Sequence, residues 1–443
     1  MKTKFTLFTL ALIFIQISVS AQDSTLIKKV NKLEEDVTKL RNLKISGWVQ
    51  AQFQVAEGRG AKTFDGGDFL SNQYNRFMIR RGRVKFTYTQ KLSQYVLQVN
   101  ASERGVNLVE IFGKVTDPWT KSISLTAGVL NRPFSFEIQQ SSADRETPER
   151  SRYIQSLLPN ERDLGAMITF QPGDKNKLHG LKFDAGIFSG NGLYVPGTTS
   201  TGSTGNTTAA GLVDTDHYKD FMSRLYYKRT LKEDKFTIGI GVSTYQGAIA
   251  YQNNKVYNTL ITDTASGLKK WQLCDTSAAK FQGNKAPRTY YAGEFQFSVK
   301  SKLGTSTIRT EYITGTQSGS LDQNKSPNVT TVNGSNTVSR TFNGGNVYFV
   351  QRIAKTKHEL AFKYEWYDPN TELSVSDFKT GTSFTSAEIK YTMIGIGYIC
   401  YWDENVKFMF YYNMVQNEIT EGINGFKTDL NDNVLTVRMQ YRF

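Results

Sequence analysis

From Leu43 to the last residue the chain alternates, with apolar side chains at every second position and polar ones between them, in stretch after stretch. The C-terminus shows it most plainly: Leu435, Val437, Met439, Tyr441 and Phe443 stand against Thr436, Arg438, Gln440 and Arg442. Phe236, Ile238, Ile240 and Val242 alternate in the same way with Lys235, Thr237, Gly239 and Gly241. So do Leu360, Phe362, Tyr364 and Trp366 with Glu359, Ala361, Lys363 and Glu365. Successive side chains of a strand point to opposite faces, so each stretch predicts a strand with one oily and one wet face.

A two-sheet sandwich alternates too, and the connections separate the two readings. Short links such as Gln90-Lys91-Leu92-Ser93, Lys232-Glu233-Asp234, Ala354-Lys355-Thr356-Lys357 and Trp402-Asp403-Glu404-Asn405 take turns with long polar ones. The long ones lie near residues 55–75, 131–162, 190–217, 247–287, 316–343, 368–386 and 417–430. Long loops on one side and short turns on the other mark an all-β transmembrane antiparallel barrel, which takes an even number of strands. Strands are expected to begin near Leu43, Arg76, Ser93, Val106, Lys121, Arg162, Gly180, Tyr218, Lys235, Arg288, Gly304, Gly344, Lys357, Ala387, Asn405 and Asn431. That makes about 16, a ring wide enough to hold an aqueous channel. The Ser/Thr/Asn/Gly-rich stretches 197–211 and 316–346 read as mobile surface polypeptide.

The first 42 residues follow other rules. Lys2 and Lys4, the apolar run from Phe5 to Val19, and Val19-Ser20-Ala21 make residues 1–21 a signal peptide, cut before Gln22. In residues 22–42, Leu26, Val30, Leu33, Val37 and Leu40 trace a heptad seam, and Lys29, Glu34, Asp36 and Arg41 set opposite charges across it. This predicts a short periplasmic coiled coil of parallel helices; the competing reading is a lone amphipathic helix on the barrel mouth. Residues 43–443 form the outer-membrane pore domain. After the leader, no stretch reaches the roughly 18 apolar residues that a spanning helix needs.

Composition agrees: 13% aromatic residues, 36 Gly and 9 Pro suit strands without continuous apolar runs. Cys274 and Cys400 sit in unlike contexts and are not expected to pair. The formal charge of +14 falls to +12 without Lys2 and Lys4, and a secreted protein meets little nucleic acid, so the position of the charge matters more than its size. If Val84, Phe86 and Tyr88 face lipid, Arg81, Arg83 and Lys85 face the lumen, since a cation on the lipid face near the midplane costs about 2–4 kcal/mol. Arg224, Lys228, Lys363, Arg438 and Arg442 join them by the same parity, with Glu294, Glu359 and Glu365 as inward acids. A ladder of cations between low-dielectric walls favours anions; the blander reading is that the charges pair across the lumen and only hydrate it.

The link from Asn131 to Arg162 is the expected constriction. It carries Arg132, Glu137, Asp144, Arg145, Glu146, Glu149, Arg150, Arg152, Glu161 and Arg162 together with apolar anchors Phe134, Phe136, Tyr153, Leu157 and Leu158. Such a loop can fold inward, seat its anchors on the wall and present charge to the pore; otherwise it splays over the surface. His179, His217 and His358 have no companion spacing for a metal or a nucleophile, so no enzyme activity and no cofactor is expected. The rival to a pore is a barrel scaffold whose loops serve adhesion or ligand reception.

Several motifs then resemble the phosphate-selective porin family, the porins O and P and their relatives. They are Phe77-Met78-Ile79-Arg80-Arg81-Gly82-Arg83-Val84-Lys85-Phe86, then Gly128-Val129-Leu130-Asn131-Arg132-Pro133-Phe134-Ser135 with Glu137. Ser141-Ser142, Glu149-Arg150-Ser151, Leu158-Pro159 and Arg162-Asp163-Leu164-Gly165 follow, so the likeness covers about residues 45–190 and the terminal aromatic. The resemblance implies a trimer of 16-stranded barrels in the outer membrane with the third loop folded into each pore. It also implies small anions such as phosphate as solutes, met by Arg81, Arg83, Lys85 and the third-loop arginines.

Overall fold

The computed structural model describes residues 26–37, 39–190, 194–195, 211–212, 216–231, 234–251, 253, 255–274, 281–326 and 336–443. The expected leader 1–21 and nearly all of the stretch 197–211 lie outside them. The wall begins with β1 (Leu43–Ala56), β2 (Asn75–Gln90), β3 (Ser93–Ser102), β4 (Gly105–Thr116), β5 (Ile123–Asn131) and β6 (Arg162–Phe170). It continues with β7 (Leu181–Phe188), β8 (Asp220–Leu231), β9 (Phe236–Ala250), β10 (Lys285–Ser301) and β11 (Gly304–Ser320). β12 (Thr337–Ile353), β13 (His358–Asp368), β14 (Tyr391–Tyr401), β15 (Val406–Asn417) and β16 (Val434–Arg442) complete it.

Each strand pairs antiparallel with the next, and β16 pairs back onto β1 with Trp48 opposite Arg442, so sixteen strands close into one barrel. The wall separates its two solvents as the alternation requires. Ile240, Val242, Phe295, Ile308, Phe362, Tyr398, Phe410 and Met439 are exposed on the outside, while Gln50, Gln52, Gln54, Arg81, Gln98, Glu110, Glu294 and Arg438 are buried within. One end of the barrel turns tightly: Gly304 sits at φ +117°, and a Cβ there would meet the Arg352 carbonyl oxygen at 1.8 Å. Two register shifts break the period. β1 and β2 slip between Gln50 and Ala51, leaving Arg80 without a partner, and β3 and β4 slip between Gln98 and Val99, leaving Val109 so.

The expected strand starts lie within four residues of those observed except at β12, which begins at Thr337 and not near Gly344. β11 likewise runs to Ser320, and the two strands pair from Thr316 opposite Thr341 to Ser320 opposite Thr337. About half of the stretch 316–346 read as loose surface chain is therefore strand. The end of β11 carries Thr, Gln, Ser and Gly on both faces, and in β12 Val338 and Phe342 alternate with Thr337, Ser339 and Thr341 but are buried on the inner side, so neither end shows the lipid-facing alternation of the wall. The 247–287 stretch also hides a hairpin, Val256–Thr262 with Lys269–Leu273, which adds to the extended β12 through Val256 opposite Thr337. The N-terminal residues 26–37 and 39–41 are helical, with Leu26, Val30, Leu33, Val37 and Leu40 all exposed.

Candidate functional site

The third loop, between Asn131 and Arg162, turns into the lumen instead of away from it. Its apolar residues are the reason. Phe134, Ile138, Tyr153, Ile154, Leu157 and Leu158 are buried against Phe188, Met222, Tyr245, Tyr290, Ile313, Phe342, Tyr367 and Tyr391 of the inner wall. Fully burying one such side chain stabilises by about 1.5–3 kcal/mol. Polar ties fix the footing. Ser135, at φ +57°, donates its hydroxyl to Glu311 at 2.8 Å, and Glu311 also accepts Phe136 N at 3.1 Å and the Tyr153 hydroxyl at 3.0 Å. Glu137 accepts the Ser151 N–H and hydroxyl, both at 2.8 Å, and the Tyr348 hydroxyl. Farther along, Gln50 of β1 and Lys407 of β15 donate to the carbonyls of Ser142 and Ala143 at 2.9 and 2.7 Å.

Glu149 is the hub where loop meets wall. Arg80 reaches it at 2.8 Å, Arg81 at 2.6 Å and Arg438 at 3.2 Å. The bulge in β2 allows this, because an extra residue re-aims the strand and brings two consecutive arginines to one carboxylate. Against the cost of burial, these guanidinium groups and Arg145 hold Glu149 well below the ordinary carboxylate range. Arg145 is buried with Nε, Nη1 and Nη2 all lacking hydrogen-bond partners. Burial and Arg150 pull it down to about 10, so it remains a cation.

Three spaces lie at different levels inside the barrel. The third loop packs on the wall from Phe188 of β7 and Met222 of β8 round to Gln50 of β1, and the two deeper spaces lie in front of β2 to β7. A vestibule of about 550 Å³ lies among the long loops, lined by Phe64, Arg80, Arg152, Lys325, Phe426 and Asp432 among others. Below it a chamber of about 380 Å³ is lined by Arg80, Arg81, Arg83, Arg150, Arg162 and Lys325, with Glu149 and Glu161 as its carboxylates. A third space of about 240 Å³ carries Lys85, Lys114 and Lys182 against Glu110. Glu110 stands between chamber and lower space, its two oxygens held by Arg162 and Lys85, each at 3.0 Å. Arg150 and Arg162 both grip Glu161, which they hold low against the cost of its burial.

The expected site residues divide accordingly. Arg81, Arg83, Lys85, Glu149, Arg150 and Arg162 line these spaces. Arg83 forms no ion pair within salt-bridge distance among the described residues, lies 5.6 Å over the Trp48 ring, and has its Nε unpartnered. Lys363 is buried between Glu365 and Glu137, Arg438 under the third loop on Gln52 and Pro148, and Arg224 against Glu294 at 2.5 Å. Lys228 is exposed near the short-turn end of β8. Arg132 and Phe134 are fully buried in the loop's footing, where the Arg132 Nη2 donates to the Pro159 carbonyl oxygen at 2.5 Å. Arg145 joins the Glu149 cluster, and Arg152 is stacked on Tyr391 at 4.3 Å. Much of the ladder is thus paired with acids: Glu137 and Glu149 come from the third loop, and Glu110, Glu294 and Glu365 from the wall itself.

Four residues of the path escaped the sequence reading. Lys114 and Lys182 follow from period two in β4 and β7. Arg80 is signalled only by the break in alternation at Arg80-Arg81. Phe64 sits in a first loop (residues 57–74) that reads as plain polar chain yet folds inward, where Asn413 and Gln54 hold Asp65 at 2.5 and 2.8 Å.

No protein-family model and no curated protein matches the chain. Solved structures do. OprB of Pseudomonas putida is 8% identical with a TM-score of 0.52, over 93% of this chain and 96% of that one. The outer membrane channel DcaP of Acinetobacter baumannii is 11% identical with a TM-score of 0.50, over 90% and 97%. An anion-selective porin from Comamonas acidovorans is 9% identical with a TM-score of 0.49, over 90% and 99%. At such identities the likeness to OprB and DcaP, with TM-scores of 0.52 and 0.50, establishes the barrel fold alone.

Proposed function

We propose that the chain is an outer-membrane porin, a water-filled channel through which small solutes diffuse passively, with a preference for anions such as phosphate and other small oxyanions. Enzyme activity is no part of this reading. The observation that carries it is the excess of cations along the water path. Six line the chamber against two carboxylates, and three line the space below against one. Guanidinium groups match oxyanions in geometry, and the acids keep the site from holding an ion too tightly to release it, which conduction requires. One solved structure of the same fold is described as an outer membrane channel. In the same reading a leader delivers the chain, three copies assemble, and the N-terminal helix lies in the periplasm.

Reversal potentials in planar bilayers under a potassium chloride gradient test the preference. Arg83→Glu, alone and with Arg81→Glu, is expected to shift the reversal potential towards the cation limit while the barrel still folds. An unchanged potential in both would refute the charge reading. A scaffold for surface recognition is the second reading. It draws on the cap over the long loops, where Trp271, Val338, Phe378, Phe384, Ile389 and Ile423 form a separate apolar core around the buried Arg340–Glu388 pair at 2.8 Å. A barrel that folds but carries no current would favour it.

A further inference from the structure

The vestibule and the arginine chamber share a ring. Phe64, half-buried near the tip of the first loop, lines both, together with a third, small space of about 40 Å³ beside them. The Arg152 guanidinium lies 4.6 Å from its centroid and the Lys325 ammonium 5.8 Å. The Arg152 guanidinium is itself seated on Tyr391 at 4.3 Å, and the residue's backbone N–H donates to Glu365 at 3.1 Å, so one wall of the passage is fixed to the barrel. The backbone beside the ring is pinned too. The Asp65 carbonyl accepts Gln54 at 2.8 Å, and its carboxylate accepts Asn413 at 2.5 Å.

We propose that Phe64 is the residue that sets the size limit of the pore and couples that limit to charge. This rests on the channel reading above, but moves the decisive side chain from the third loop to the first. With residue 65 anchored, the aperture changes by rotation of one aromatic side chain, not by displacement of the loop. Two cations hold the ring through its negative face. An arriving anion competes with the ring for the charge of Arg152 and Lys325, weakens their hold on it without moving the fixed wall, and lets the ring turn. A neutral solute of the same size has no such lever. Small anions therefore pass the ring more readily than neutral solutes of equal bulk, and the discrimination is made before the chamber is reached.

Single-channel conductance in potassium chloride, and swelling of liposomes in uncharged sugars of increasing size, test this on the full chain. Phe64→Ala is expected to raise conductance roughly two-fold and to admit larger sugars, because the ring shared by vestibule and chamber is removed. Phe64→Trp is expected to lower both. Using the two variants guards against misfolding of either, and heat-modifiable gel mobility reports the folded barrel. If the wild type conducts and both folded variants match it in conductance and sugar cut-off, the gate is overturned while the porin reading stands. If neither wild type nor Phe64→Ala conducts, both readings fall.

Discussion

Glu149 shows how much a single residue can hold when burial and charge are arranged around it. Three arginines from two strands converge on its carboxylate within 3.2 Å, and a fourth guanidinium, Arg145, stands near with no hydrogen-bond partner of its own. Removing one side of a buried pair leaves the other uncompensated, at a cost of about 3–5 kcal/mol. Glu149→Gln is therefore expected to lower thermal stability in detergent and to raise anion selectivity, since the cluster loses its balancing charge. Thermal melts read alongside reversal potentials would check both, and a variant as stable as wild type with the same potential would contradict the hub. The sequence makes half of this legible. Arg81 is aimed inward by period two, but Arg80 reaches the lumen only through a bulge, and the Arg80-Arg81 break in alternation shows that something gives way without showing which strand yields. Neither partner of the long-range contact between Glu149 and Arg438 can be paired from one sequence.

The two loops inside the barrel are held by different means, and they should respond differently to pH. The third loop has an apolar footing and many ties, so no single titration frees it. The first loop has a smaller footing, Ala61 and Phe69 against Ala56 and Val434, and Asp65 is its buried titratable tie beside Phe64. Burial pushes that carboxyl up to about 6; the Asn413 hydrogen bond lowers it, Glu149 and Glu365 raise it, and Lys363 lowers it. An acid raised in the folded state from its ordinary 3.8 contributes stability that is fully present below that value and lost as the pH rises through about 6. The inward position of the first loop, with Phe64 beside it, is thus firmer in acid. Conductance is expected to fall between pH 7.5 and pH 5 in the wild type and to change much less in Asp65→Asn; equal pH profiles would refute the link. Loops also mark where sequence reading ends. Strand period survives wherever one face meets lipid, but is lost in Thr316 to Ser320, where both faces are polar, and is turned inward in Thr337 to Asn343, where Val338 and Phe342 are buried. The third loop announces itself by mixing aromatic anchors with charge, whereas the first scatters Phe64, Phe69, Leu70 and Tyr74 among Gly, Asp, Ser and other polar residues.

At the scale of the whole molecule one surface is left without an explanation inside a single barrel. The helical residues 26–37 and 39–41 run directly into β1, and their seam of Leu26, Val30, Leu33, Val37 and Leu40 is exposed from end to end. A helix this short is marginal alone, since nucleation is costly and few residues share the gain. The seam becomes favourable only when other apolar surface covers it, at about 25 cal/mol per Å² buried. The Lys39–Glu35 pair at 2.8 Å joins successive turns of one helix, and a pair so exposed contributes little, so it does not substitute for that cover. In the proposed trimer the heptad spacing brings three seams together beneath the barrels. The channel itself is built wholly from residue 43 onward, so assembly and conduction should separate. Deleting residues 22–42 from the mature chain is expected to lower the temperature at which the detergent-resistant oligomer falls to monomer, while each barrel keeps its conductance and its reversal potential. Gel migration after stepped heating, with bilayer recording of the same preparation, makes the comparison. An oligomer that survives the deletion unchanged would remove the coil from the assembly, and a monomer that loses its conductance would mean that the helix belongs to the pore.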